Sequence, residues 1–143
     1  AGAREAAQRG ATVAVLDDAF QHRRARRDVD VVLVAAEQGH AARLLPAGPL
    51  REGRRALRRA SLVIVTRKSA SLADAEAVAA RWTGFAGAPT ACVVALTPGR
   101  LHDVRDPVAA TLPPELLAGK TVLAISAVGA PSAFAAQLSA LGA

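Results

Sequence analysis

The chain has 143 residues, of which 52% are apolar and 21% charged, with a formal net charge of +6. That length and apolar share suit one compact unit, or one unit and a piece of another, and exclude a disordered polar chain. No run of about 18 consecutive apolar residues occurs, which excludes a transmembrane helix within these residues, and the single cysteine excludes an internal disulfide. Cys92 sits in the apolar run Ala91-Cys92-Val93-Val94-Ala95 and reads as a buried small hydrophobe.

In chain order, the pattern predicts a helix over 3–9, then a short apolar strand over 12–16 after Gly10. Asp17 and Asp18 then fall at the carboxyl end of that strand, where ligands bind in open α/β sheets. An adjacent acid pair suits a hard divalent cation such as Mg²⁺, which takes oxygen ligands from one or two carboxylates and from substrate phosphates. It equally suits a turn, because aspartate accepts backbone hydrogen bonds where strands end. His22 carries an imidazole, which is chemically able to move a proton, although a histidine in a polar loop is as readily a solvated one. Further strands are predicted over 29–35, 61–66, 90–96 and 121–127, and helices over 51–60, 72–82 and 131–141. Ser71 and Ser132 are the expected helix starts, through their capping oxygens. The Pro-rich stretch 98–118 reads as a linker between two parts of the chain. Strands alternating with helices specify an α/β fold with a parallel sheet and flanking helices.

The positive charge is almost wholly arginine, since Lys68 and Lys120 are the only lysines. Arg23, Arg24, Arg26 and Arg27 follow the acid pair, and Arg51, Arg55, Arg58 and Arg59 fall largely on one side of the predicted 51–60 helix. Such a stripe is either a solvated face or an anion site, because planar guanidinium matches phosphate oxygens in pairs and a basic surface attracts anionic lipid headgroups. Nucleic acid is not expected as the partner. The arginine clusters are not interleaved with the aromatics on which single-stranded bases stack.

Two blocks carry a resemblance. Asp17-Asp18-Ala19-Phe20-Gln21-His22, the link to Arg27-Asp28 and its apolar strand, and Arg43-Leu44-Leu45-Pro46-Ala47-Gly48-Pro49-Leu50-Arg51-Glu52 together resemble the tetraacyldisaccharide 4'-kinase family, the lipid A 4'-kinases. Val63-Ile64-Val65-Thr66-Arg67-Lys68 resembles the family's Val-Val-Val-Thr-Lys/Arg strand end, and Ser126 to Phe134 resembles its Ser-Gly-Ile-Gly-Asn-Pro-x-x-Phe segment. There are departures: Ala19 stands where the family usually has Gly, which is favoured where the backbone needs positive φ. His40-Ala41-Ala42 replaces Gly-Asn-Gly, and Ala127 and Ala130 replace Gly and Asn.

The resemblance implies a P-loop-kinase-like sheet, with 1–97 as part of the nucleotide-binding core, 98–118 as a hinge and 119–143 as the start of a smaller α/β domain. It implies transfer of the ATP γ-phosphate to the 4'-hydroxyl of a tetraacyldisaccharide 1-phosphate, with ATP and Mg²⁺ as cofactors, at the cytoplasmic face of the inner membrane as a peripheral protein. Asp17, Asp18 and His22 would be catalytic, Asp17 and Asp18 would hold the metal, and Gln21, Arg43 and Arg51 would bind substrate. The phosphate-cradling G-x-x-x-x-G-K-[ST] loop does not occur in these residues, nor does the family's later Asp-His-His motif. The chain therefore reads as an internal fragment that does not assemble the complete chemistry alone. The alternative is a non-catalytic remnant that binds an anionic partner.

Overall fold

The computed structural model describes residues 2–38, 43–106 and 108–143. Its centre is a parallel three-stranded sheet, ordered β1 (Val31–Ala35), β2 (Leu62–Arg67) and β3 (Thr90–Ala95). The α/β class with a parallel sheet and flanking helices, read from the sequence, is the class found. Registers run Val32 to Val63 to Ala91 and Val34 to Val65 to Val93 across the sheet. These residues form the face that packs on α2 (Leu72–Thr83), whose Ala75, Val78 and Trp82 are buried at helical spacing. Leu57 and Ala36 complete the core, and Val63 and Val65 are fully buried.

Local chemistry starts α2 as predicted. The Ser71 hydroxyl accepts from the Asp74 amide at 3.1 Å and donates to the Asp74 carboxylate at 2.7 Å. The first helix, α1 (Gly2–Gln8), is present but buries nothing. The last, α3 (Pro131–Ala140), begins with proline at its first turn, and its N-cap is Ala130 without a side-chain bond, so Ser132 is not the cap. Gln137 of α3 donates to the carbonyl of Leu96, which fixes the helix beside the carboxyl end of β3.

Four expectations are corrected. Residues 12–16 and 121–127 are not strands: neither pairs with the sheet, and Val15 and Ile125 are 91% and 85% exposed. Their apolar, β-branched composition is right for a strand, but a strand exists only where a neighbour completes its hydrogen bonds. The arginine segment predicted as a helix over 51–60 is a shorter 3₁₀ helix, Arg54–Arg59, with three residues per turn. Cys92 is exposed rather than buried. It lies in register with Ile64 and Leu33, on the sheet face opposite α2, which no described helix covers. Within 98–118 the described residues include an antiparallel bridge between Leu101 and Leu112 and a 3₁₀ helix at Pro114–Leu117.

A single carboxylate ties two strand ends together. Glu37, in the 3₁₀ turn after β1, accepts through Oε1 from the Lys68, Ser69 and Ala70 amides at 2.7, 3.0 and 3.2 Å. Partial burial pushes its carboxyl up, but these N–H donors outweigh burial and bring it from 4.5 down to about 2. A lowered folded-state value means that the stabilisation is complete above the unfolded value of 4.5 and is lost as pH falls toward 2. With solvent screening at a half-buried site, the contribution is on the order of 1–2 kcal/mol. Urea unfolding followed from pH 7 to pH 2.5 should show Glu37→Gln less stable at pH 7 by that amount, with the gap closing at the acid end. A gap independent of pH would mean that the carboxylate charge contributes nothing.

Candidate functional site

The two motif blocks meet. Arg51 Nη1 lies 2.8 Å from Asp18 Oδ2, joining the end of the second block to the acid pair 33 residues earlier. Both side chains are more than half exposed, so the pair fixes register more than it stabilises; exposed pairs contribute about 0–1 kcal/mol. A second link lies beside it: the Arg59 guanidinium stacks 4.6 Å above the Phe20 ring, while its Nη2 bonds both Glu52 oxygens at 2.9 and 3.0 Å. Together these contacts close one side of a cavity of about 280 Å³. Phe20, Gln21, Arg51, Glu52 and Arg54 contribute to its wall, and Val32, Val34, Leu50, Leu57 and Trp82 give it an apolar floor.

The acid loop itself has a specific backbone. Asp18 is the one non-glycine residue with positive φ among the described residues, at 47°. Aspartate enters the left-handed region more readily than most residues. Ala19 needs no such conformation, so the replacement of glycine at that position places no backbone penalty on the loop. The turn closes with the His22 amide on the Ala19 carbonyl at 2.9 Å. Because 12–16 is not a strand, the acid pair does not stand at a strand's carboxyl end. The loop's ties run instead to Asp30 and Arg59, just ahead of β1 and β2.

The second block is a closed loop. Leu45 donates to the Leu50 carbonyl at 2.9 Å and Leu50 donates to the Arg43 carbonyl at 3.2 Å. Gly48 packs so closely on Arg43 that a Cβ there would stand 2.7 Å from the Arg43 Cβ. Glycine is required by space at this position. The loop thereby delivers Arg51 at its exit toward Asp18.

Of the residues singled out from the sequence, the structure groups Asp18, Gln21 and Arg51. Asp17 and His22 are exposed and their side chains have no partner among the described residues, and neither lines the cavity. Arg43 is exposed and also outside it. His40-Ala41-Ala42 lies outside the described residues. No group of three or more His, Cys, Asp or Glu suited to a metal occurs among the described residues. The acid pair fits Mg²⁺ only as a partial ligand set, with Asp17 unengaged and Asp18 holding its second oxygen free of Arg51, the remaining positions falling to water and phosphate oxygens. Phe20 and Glu52, quoted from the sequence only as parts of the two blocks, line the cavity, and Arg59, read there only as part of the arginine stripe, bonds Glu52 and stacks on Phe20. Phe20 lay within the quoted motif, but nothing in the sequence ties its ring to Arg59.

The arginine stripe does not survive as one face. Arg54 bonds the Arg81 carbonyl at 2.7 Å and Arg58 the Ala86 carbonyl at 3.2 Å, and both lie 5.8 Å from the Phe85 ring. With Arg51 and Arg59 also engaged, Arg55 is the arginine of the stripe without a partner among the described residues. Arg23, Arg24 and Arg26 are likewise exposed and unpaired there.

Residues 1–143 match the sequence profile of the family described as Tetraacyldisaccharide-1-P 4'-kinase. A tetraacyldisaccharide 4'-kinase of Anaeromyxobacter sp. (strain Fw109-5) is 41% identical over 143 residues, covering 94% of this chain and 36% of the relative. One of Syntrophus aciditrophicus (strain SB) is 38% identical over 151 residues, covering 94% and 37%, and one of Chlorobium luteolum is 33% identical over 127 residues, covering 88% and 35%. The chain thus spans about a third of the length of these curated relatives. No solved structure matches it. With the Asp-Asp-Ala-Phe-Gln-His loop and the Leu-Leu-Pro-Ala-Gly-Pro-Leu-Arg-Glu loop in contact, and a match from the first residue to the last, the chain belongs to the tetraacyldisaccharide 4'-kinase family.

Proposed function

We propose that these residues serve an ATP-dependent lipid A 4'-kinase, which transfers the γ-phosphoryl group of ATP to the 4'-hydroxyl of a tetraacyldisaccharide 1-phosphate. The observation that carries this reading is the Arg51–Asp18 contact, because it unites the two family motifs beside one cavity. Phosphoryl transfer asks a protein chiefly to position reactants and to balance charge. Mg²⁺, when bound, supplies charge neutralisation at phosphate oxygens. Asp17 and Asp18 are the residues suited to hold it, with Arg51 fixing the orientation of Asp18. Gln21 offers amide donors and an acceptor to a sugar or phosphate in the cavity, the neighbouring His22 a proton-transfer group, and Arg43 and Arg51 guanidinium groups for the substrate's phosphate. The reading divides the chain into core (1–97), hinge (98–118) and the start of a smaller domain (119–143).

We place the protein peripherally at the cytoplasmic face of the inner membrane. No helix among the described residues is long and apolar enough to cross a membrane, and the unpaired arginines supply a basic surface. That surface is now Arg23, Arg24, Arg26 and Arg55 rather than the whole 51–59 segment, since a guanidinium already bonded to a carboxylate or carbonyl offers less to a headgroup.

Three outcomes are expected. In the full natural polypeptide containing these residues, Asp18→Asn should lower kcat by roughly a hundredfold, the scale on which one positioned group acts, while shifting unfolding free energy by less than about 0.5 kcal/mol, as befits an exposed side chain. Near-normal turnover by this variant would remove Asp18 from the site. The isolated 143-residue chain, which lacks the phosphate-cradling loop, should bind Mg-ATP no more tightly than about millimolar; micromolar affinity by titration calorimetry would require a second phosphate site. Sedimentation with anionic liposomes at low salt should show Arg23→Gln/Arg24→Gln/Arg26→Gln losing about 1 kcal/mol of binding per charge, an effect that fades at high salt. The pair Arg58→Gln/Arg59→Gln should lose markedly less, and equal losses would return these arginines to a common solvated surface.

A further inference from the structure

Within the acid-pair loop the least exposed ionic contact is not made by a motif acid. Arg27 is 13% exposed and its partner Asp30 is 20% exposed. Its guanidinium is used on two edges. Nε and Nη2 face Asp30 Oδ1 and Oδ2 at 2.7 and 3.4 Å, while Nη1 donates to the carbonyls of Ala19 at 3.1 Å and His22 at 2.8 Å. Those carbonyls are the two ends of the turn that presents Phe20 and Gln21 to the cavity. Asp30 in turn is anchored to the sheet. Its amide donates to Ser61 Oγ at 3.1 Å, and its carbonyl accepts from the Ser61 amide at 2.8 Å.

We propose that Arg27 is a positioning residue, which fixes the 19–22 turn, and with it Gln21 and His22, to the amino edge of β1 and β2. The need for such a device follows from the fold. Residues 12–16 have no ladder partner, so the loop does not inherit its place from a strand. Its other ties, Arg51 of the second block on Asp18 and Arg59 of the 3₁₀ helix on Phe20, hold a different side of it. Only a planar fork of donors reaches a carboxylate and two carbonyls at once; a lysine ammonium keeps the charge but not the geometry.

This inference rests on the kinase reading of the 17–22 loop, and the experiment separates the two. Arg27→Lys and Arg27→Gln are made in the full natural polypeptide containing these residues and compared with Asp18→Asn, reading kcat, KM for ATP and amide hydrogen exchange at residues 19–25. Arg27→Lys should retain the unfolding midpoint of the parent, raise exchange at the His22 and Ala25 amides about tenfold, and lower kcat about tenfold with KM for ATP within twofold. Unchanged exchange at these amides in both Arg27 variants overturns the positioning role. So does raised exchange with unchanged kcat, provided that Asp18→Asn is inactive. An active Asp18→Asn variant instead overturns the reading of the loop on which the proposal stands. Should Arg27→Gln fail to fold, Arg27→Lys alone decides the question.

Discussion

The burial of Val63 and Val65 on the central strand is the constraint from which the rest of the structure follows. A parallel strand flanked by two others satisfies its backbone on both edges, and each buried valine removes apolar surface from water at about 25 cal/mol per Å². That contact seats α2 through Ala75, Val78 and Trp82 and brings Leu57 down onto the same face. Once Leu57 is seated, the 3₁₀ segment around it has no freedom to face solvent on all sides. Arg54, Arg58 and Arg59 are therefore committed to local acceptors and rings, and Arg55 stays exposed.

The site is assembled from loops that no strand holds directly, and arginine does the joining. Arg51, Arg59 and Arg27 reach across from three points of the chain to one turn, with a carboxylate, an aromatic face and two carbonyls as targets. Each contact is modest alone because most are wet. Their number and their different directions fix the turn in place. A loop held by side chains rather than by a ladder is also one that responds to single substitutions, which makes its geometry testable residue by residue.

The sheet has two unlike faces. The face toward α2 is closed, whereas Val31, Leu33, Cys92 and Val94 stand on the other with substantial exposure. Parallel sheets are ordinarily covered on both faces.

By itself the sequence determined the class of the fold, three of its strands, α2 with its Ser71 cap, and the family, because these depend on local period, capping chemistry and motif spacing. It also marked Asp18 and Arg51, which are in contact, and Gln21, which lines the same cavity as Arg51. Tertiary structure alone decided the rest. Thr12 to Leu16 and Thr121 to Ala127 have strand composition yet no strand, since pairing needs a partner that composition does not supply. Cys92 looked buried because its neighbours are apolar, and is exposed because it faces the uncovered side of the sheet. Which arginines are bound and which are free was undecidable from spacing, because a guanidinium on a long flexible stem takes whichever acceptor the folded chain brings within reach.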